Sequence, residues 1–478
     1  MRKELLFTFG LISVCNSGYA NPSDMNAEDH GDKKSDKLNV LMIMVDDLRP
    51  ELTCFGRDGV ISPNIDSLAS SGVLFSNAYC NAPVSGASRA SLLTGLRPAH
   101  ERFVSFQSYA QNDAPWATSL PAYFKSMGYT TYSLSKVFHH QDDFSESWDV
   151  NWRPDDGSGS WRNYVEEDNI IMEKTGRSMS MEFADVEDEA YYDGQTAEKA
   201  VSVLKSIKKE DGPFFMGVGF LKPHLPFNAP RKYLDMYDTV AVSVPDNYEL
   251  LNESIPEEAF HTWGELRYYK DIPDVGEGNI SPDYAVSLIK AYRACVTYTD
   301  AQIGKVLKAL DDTGLRENTV VLLLGDHGWS LGEHGQWCKH STFDIVMNAP
   351  LIISAPGLPE GKIIDEVVEF VDIYPTLAEA SGLPVPSTLD GESLVPLMNG
   401  RTEGWKNVAV VKWGMSMASV RQDFGYTVWR DQDGEIVNEM LFDHTTDKSE
   451  NFNIAADNRL KKIISQMRGI ISTYKTKW

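Results

Sequence analysis

The chain has 478 residues, with 44 Lys and Arg against 69 Asp and Glu, for a formal net charge of −25 at pH 7. Such an excess repels nucleic acid and anionic membrane surfaces, so an anionic ligand would need a locally positive pocket. The length and a hydrophobic content of 42% suit two globular lobes and exclude a disordered or fibrous chain.

The first segment reads as a secretory signal peptide over residues 1–20. Arg2 and Lys3 precede the apolar run Leu5 to Val14, and Gly18-Tyr19-Ala20 supplies small residues for cleavage. The run is too short for a stable membrane anchor, and no later stretch is long and apolar enough to span a bilayer. Cys15 raises the alternative of a lipoprotein, which Val14 disfavours as the residue before a lipidated cysteine. Export across the inner membrane to the periplasm is therefore expected, with 21–37 as a polar flexible leader. Cys54, Cys80, Cys295 and Cys338 match neither a zinc spacing nor a disulfide framework.

Leu38 to Val45 is a nearly continuous apolar run, the pattern of a strand buried on both faces of a parallel sheet. Ser62-Pro63-Asn64 predicts a helix through Ala69, with Ser62 as cap and Pro63 in the first turn. Strand Val73 to Phe75 follows. A helix over Leu120 to Met127 then precedes strand Tyr129 to Ser133, and a helix over Thr196 to Lys208 precedes strand Phe214 to Phe220. A long helix over Asp283 to Asp312 leads into strand Thr319 to Leu324. This alternation predicts an α/β fold with a mostly parallel sheet covered on both faces, whose ligands gather at the carboxyl ends of the strands. Beyond about residue 365 the pattern changes. Short strands at Val408 to Lys412, Ala418 to Gln422, Tyr426 to Arg430 and Glu439 to Phe442 predict an antiparallel sheet, closed by a helix over Asn458 to Ile471.

Chemistry-bearing residues cluster at the predicted strand ends. Asp46 and Asp47 follow the first strand, and Asp326 and His327 follow the strand ending at Leu324. Three carboxylates and an imidazole at one edge could hold a hard dication, although a strand-end Asp is commonly only a turn or cap residue. Lys136 and His139 follow Ser133, while Lys222 and His224 follow Phe220. Lys339 lies just beyond Gly335-Gln336-Trp337-Cys338, with Glu333 and His334 as supports of that loop. Between these comes Ser85-Gly86-Ala87-Ser88-Arg89, continued by Ala90-Ser91-Leu92-Leu93-Thr94-Gly95. The periodicity predicts a helix with Ser85 at or just before its N-terminus, where free N–H groups favour an anion. The plain alternative is a capping serine on a surface helix.

Ser-x-Ala-x-Arg followed by Leu-Thr-Gly resembles the signature of the type I, formylglycine-dependent sulfatases, in the Ser-type form. Cys80 does not compete, because Val84 stands where that reading needs Arg. With Asp-His at 326 and 327, the resemblance is to the iduronate-2-sulfatase-like branch and spans roughly residues 38 to 450. It implies an alkaline-phosphatase-like catalytic domain over 38–364 and a smaller C-terminal subdomain over 365–478. It also implies one Ca²⁺ per chain, held by Asp46, Asp47, Ser85, Asp326 and His327, with Mg²⁺ as the alternative. Ser85 would become 3-oxoalanine (formylglycine) through a maturase partner. His224 would protonate the leaving sugar oxygen and Lys339 would bind sulfate. Lys136 and His139 would hold the aldehyde hydrate, with His139 as the base for its collapse, and Arg89 would brace residue 85 and the carboxylates.

The implied substrate is a sulfated oligosaccharide, foremost a uronic acid 2-O-sulfate of heparin or chondroitin type. The acidic surface favours exo action on chain ends over a long polyanion. Arg102, His140 and Lys222 are candidates for the uronate carboxylate, and Trp116, Trp152, Trp161 and Trp263 for sugar stacking. Aryl, choline and algal sulfates stay open. So do a phosphatase or phosphodiesterase using unmodified Ser85, and a non-catalytic metal-bound sugar-binding protein.

Overall fold

In the computed structural model, residues 37–474 are described, apart from 156, 250–251, 415 and 421–422. The signal-peptide and lipoprotein readings over residues 1–20, and nearly all of the 21–37 leader, lie outside the described residues.

An eight-stranded sheet forms the centre. Its strands, in chain order, are β1 (Asn39–Val45), β2 (Val73–Phe75), β3 (Thr130–Ser135), β4 (Val150–Trp152), β5 (Phe214–Phe220), β6 (Thr319–Gly325), β7 (Leu351–Ser354) and β8 (Lys362–Ile364). The spatial order is β8-β2-β7-β6-β1-β5-β3-β4, and every pairing is parallel except the two made by β7. The expected mostly parallel sheet is present, with one reversed strand.

β1 explains why its sequence lacks alternation. Leu41, Ile43 and Val45 enter one core with Leu288, Ala291 and Tyr292 of the long helix Pro282–Asp312. Val40, Met42 and Met44 enter the opposite core with Ala87, Ala90 and Leu93. Both faces are dry, so every position selects an apolar residue.

Helix ends depart from the sequence expectation in one instructive place. The helix Pro63–Ser70 follows Ser62, but the Ser62 side chain makes no capping bond. Asp300, from the middle of the long helix, accepts from Asn64 N at 3.1 Å and Ile65 N at 2.8 Å instead. A carboxylate reached through tertiary packing replaces the local hydroxyl at the positive helix end.

The antiparallel sheet comprises β9 (Ala409–Trp413), β10 (Ser416–Val420), β11 (Phe424–Arg430) and β12 (Ile436–Asp443), in sequential order. Ile464, Met467 and Ile471 of the helix Lys461–Thr473 pack onto Val410, Tyr426, Val428 and Leu441. Among the described residues, no helix is long and apolar enough to cross a membrane.

Candidate active site

Register brings the site together. Val45 pairs with Gly325 on one side and Phe220 on the other, and Ser135 pairs with Gly219. The segments beginning at Asp46, Asp326, Leu221 and Lys136 therefore leave the sheet at one edge. Gly219 permits this closeness, since a Cβ there would lie 2.0 Å from the Lys136 carbonyl oxygen.

Ser85 is the first residue of the helix Ser85–Thr94, whose cap position is Val84. This helix is buried along its whole length, which rules out a surface helix. The Ser85 hydroxyl does no capping. It donates to Asp46 Oδ1 at 3.0 Å and lies 3.1 Å from His327 Nε2. His327 Nδ1 sits 2.8 Å from the Gly328 carbonyl, which can only accept, so Nδ1 carries the proton and bare Nε2 faces Ser85.

Arg89 binds the edge from beneath. Its Nε donates to Asp326 Oδ2 at 2.8 Å, its Nη2 to Asp46 Oδ1 at 3.1 Å, and its Nη1 to the carbonyls of Lys136 and Val137. Lys136 Nζ pairs with Asp46 Oδ2. Lys339 Nζ reaches Asp47 Oδ1 and Glu265 Oε1, each at 3.0 Å. His224 Nε2 is 3.0 Å from Glu265 Oε1 and 3.8 Å from Asp47 Oδ2.

His224 Nδ1 donates to the Leu225 carbonyl at 2.7 Å, so its Nε2 meets a carboxylate oxygen only if a proton lies between them. Burial, and then Lys339, lower the His224 pKa below its ordinary value, and Asp46 and Glu265 offset this only in part. Burial also opposes ionisation of Glu265, but Lys339 and His224 outweigh it and hold that carboxyl well below the usual range. The short Nε2–Oε1 contact marks where a proton taken up by His224 is held beside the site.

Four buried or nearly buried carboxyl groups (Asp46, Asp47, Asp326 and Glu265) meet three basic side chains, Arg89, Lys136 and Lys339. Burial raises Asp47 well above the carboxylate range, and Asp46, Glu265 and Asp326 add to the rise against Lys339. Asp46 goes the other way: Lys136, His224 and Arg89 overcome its burial and keep it ionised. Asp47, Asp326 and His327 each offer a ligand atom, all within 4.8 Å of one another. An oxygen-rich donor set whose fourth carboxyl, Asp47, stays protonated for want of another positive charge, beside a bare imidazole nitrogen, fits a divalent cation.

The remaining expectations divide. His139 lies at this edge without a hydrogen bond to Ser85. Its Nδ1 is buried and unpartnered, and burial followed by Lys136 pushes its pKa far down. Lys222 is buried, and its ammonium is spent on the carbonyls of His224 and Pro226 at 2.8 and 2.7 Å. It fastens the His224 loop and is not free for a carboxylate. Arg102 turns to the Arg97 carbonyl, and His140 stacks on Tyr109 at 3.9 Å. Glu333 holds Arg49 at 2.8 Å, a loop support, while His334 bonds the Ser449 carbonyl. Trp263 is buried, Trp152 half-buried and Trp116 exposed; Trp161 alone of the four stands against a site residue, His224. Sequence reasoning missed Glu265, which sits on the four-residue helix Gly264–Arg267 with no periodic signal around it.

Three comparisons agree with this geometry. The sulfatase family model matches residues 38–383, and the model for the C-terminal region of N-sulphoglucosamine sulphohydrolase matches 332–477. The iduronate 2-sulfatase of Mus musculus is 35% identical over 426 residues, covering 80% of this chain and 74% of the relative. That of Homo sapiens is 36% identical over 429 residues with the same shares. Among solved structures, a protein in complex with its substrate D-glucosamine-2-N,6-O-disulfate superposes with a TM-score of 0.75 at 21% identity, covering 92% of this chain and 99% of that one. The phosphonate monoester hydrolase of Agrobacterium radiobacter gives 0.74 at 22%, covering 92% and 95%, so the alkaline-phosphatase-like scaffold itself is shared more widely than one reaction. With the signature serine bonded to the carboxylate edge and the family model spanning most of the chain, this protein belongs to the sulfatase family and is a sulfuric ester hydrolase.

Proposed function

We propose that the protein is a Ser-type, calcium-dependent sulfatase that removes 2-O-sulfate from uronic acid residues of glycosaminoglycan oligosaccharides, acting from chain ends in the periplasm. The observation that carries this reading is the Ser85 hydroxyl, held between Asp46 Oδ1 and His327 Nε2 at the mouth of the carboxylate cluster. The 35% and 36% identities to two iduronate 2-sulfatases support the choice of sugar.

Ser85 converted to formylglycine by a maturase would supply a hydrate, with one hydroxyl to attack sulfur and a second to expel sulfate afterwards. Bound Ca²⁺ would supply charge for the sulfate oxygens and acidify the attacking hydroxyl. Asp46, Asp47, Asp326 and His327 would hold it beside residue 85. Arg89 fixes the directions of Asp46 and Asp326 and thereby the cation position. Lys136 and Lys339 add positive charge where an anionic sulfate ester must be desolvated. His224, oriented by Glu265, is placed to protonate the departing sugar oxygen. His139, unprotonated at neutral pH and with a free Nδ1, is suited to accept the hydrate proton.

The test is peptide mass spectrometry across Ser85 after co-expression with a Ser-type maturase, with turnover of a 2-O-sulfated uronate disaccharide measured on the same sample. An aldehyde at position 85 and turnover of the disaccharide are expected. Full activity with unmodified Ser85, together with phosphonate or phosphate ester cleavage, would replace this reading with a phosphoryl hydrolase. Internal desulfation of intact polymer as fast as disaccharide turnover would refute the exo assignment alone.

A further inference from the structure

Two large aromatic side chains stand exposed at this edge, each against one of the two histidines assigned to proton transfer. Trp161 is 44% exposed, and its ring lies 5.0 Å from that of His224, edge to face at 85°. Phe106 is 54% exposed and lies 6.5 Å from His139 at 65°. Buried aromatic area is favourable, so two exposed rings beside a cluster of polar side chains call for a partner that covers them.

Both rings are held in place. The Arg162 guanidinium stacks 4.6 Å from the Trp161 ring and 4.7 Å from that of Tyr268, and Arg162 Nη1 is tied to Glu173 Oε1 at 3.2 Å. Stacking a cation on an indole stiffens it without removing all of its apolar surface. The Phe106 backbone packs against the start of the Ser85 helix, where a Cβ on Gly86 would lie 2.3 Å from the Phe106 carbonyl oxygen. Gly86 therefore admits the Phe106 loop directly beside residue 85. Phe103 N bonded to Asp113 Oδ2 at 2.9 Å and Ser108 N bonded to the Ser105 carbonyl at 3.2 Å close the loop on itself.

We infer that Trp161 and Phe106 form an aromatic clamp for the pyranose rings of the substrate. Trp161 takes the apolar face of the ring whose oxygen His224 protonates, and Phe106 borders the opposite side of the sulfate. This rests on the sulfatase reading of Ser85 and His224 and adds what that reading leaves open: how a neutral sugar face is recognised on a chain of net charge −25. Sugar C–H faces stack on aromatic rings without needing charge, so the clamp gives affinity for the sugar while the lysines address the sulfate.

The experiment compares wild type, Trp161→Ala, Trp161→Phe, Phe106→Ala and the double alanine variant on a 2-O-sulfated uronate disaccharide. Inhibition by the desulfated disaccharide and by inorganic sulfate is measured alongside. Expected are a rise in KM of about tenfold for Trp161→Ala with kcat within about threefold, partial rescue by Trp161→Phe, and a smaller rise for Phe106→Ala. Inhibition by the desulfated disaccharide should weaken in step, while inhibition by inorganic sulfate stays unchanged. Thermal midpoints near wild type would show intact folding, as expected for exposed side chains. Unchanged KM and sugar inhibition in the double variant overturn the clamp while leaving the sulfatase reading intact. A wild-type enzyme that cleaves no sugar sulfate overturns the reading beneath it.

Discussion

Two of the buried clusters of mixed charge are built on different principles. In the first, at the carboxyl edge of the central sheet, Asp46, Asp47, Asp326 and Glu265 outnumber Arg89, Lys136 and Lys339. In the second, Glu369 and Asp372 face Arg97 and Lys406 one for one. Burial opposes ionisation of Glu369, yet Lys406 and Arg97 hold it down at about 2. Its Oε1 also accepts from Asn81 Nδ2 at 2.9 Å and Val410 N at 3.0 Å, tying β9 to the rest of the molecule. A cluster that balances itself is a clasp. A cluster left with surplus carboxylate and a bare imidazole nitrogen needs a guest.

That contrast predicts opposite kinds of damage. Arg89→Leu should lower kcat/KM by about 10³-fold or more, because it releases Asp46 and Asp326 from their fixed directions. Glu369→Ala should leave the folded enzyme active but cost about 3–5 kcal/mol, since Arg97 and Lys406 would stay buried without their shared partner. Steady-state kinetics beside urea unfolding separates the two. If Glu369→Ala kills activity in protein that is still folded, the division between the clusters is wrong.

Removing the guest sharpens the same comparison. Chelation should abolish activity and lower the thermal midpoint, and Ca²⁺ should restore both, because only the native edge assembles Asp47, Asp326 and His327. Glu369→Ala should shift its midpoint by the same amount with or without Ca²⁺. An unchanged wild-type midpoint on chelation, with activity retained, would show that the surplus carboxylates are neutralised by protons.

A third contrast lies inside the site. His224→Ala should slow a sugar sulfate by about 10²–10⁴-fold and an activated aryl sulfate far less, because an aryl oxide leaves without help. Glu265→Gln should mimic it in milder form, since the amide keeps its place beside Lys339 and His224 but carries no charge to favour the His224 imidazolium. Equal losses on both substrates would move His224 from proton donor to sulfate binder.

Much of this was legible in the sequence because the sheet is parallel. Apolar runs such as 39–45 and 319–325 announce doubly buried strands, and residues just past them must share an edge. That logic puts Asp46, Asp47, Lys136, His224, Asp326 and His327 at one edge, and spacing singles out Ser85 and Arg89. What stayed hidden depends on contacts between residues tens to hundreds of positions apart. Glu265 sits on a single helical turn between Trp263 and Tyr268, and no local pattern marks it as a partner of Lys339. Asp300 caps a helix that begins at Pro63, and Glu369 pairs with Arg97, both chosen by tertiary packing alone.

The smallest effect concerns the junction near the antiparallel sheet, where His444 Nε2 meets Glu450 Oε1 at 2.9 Å and Glu450 Oε2 accepts from Asp344 N at 2.7 Å. Burial disfavours the His444 imidazolium, but the hydrogen bond and charge of Glu450 prevail and raise its pKa to about 9. The unfolded value lies near 6.5, so the folded state binds the proton more tightly. The resulting stabilisation is complete below about pH 6.5 and disappears as pH rises through about 9. By linkage its ceiling is about 3 kcal/mol, and the shared titration with Glu450 makes about 1–2 kcal/mol the expected size. His444→Gln should therefore flatten the alkaline limb of unfolding free energy against pH while leaving kcat at its optimum unchanged. A wild-type limb between pH 7 and 9.5 as flat as the variant's would mean that His444 is neutral in the folded protein. The site cluster would then be the only one of these junctions where a histidine proton has consequences, which is the outcome expected if charge at the second sheet serves packing alone.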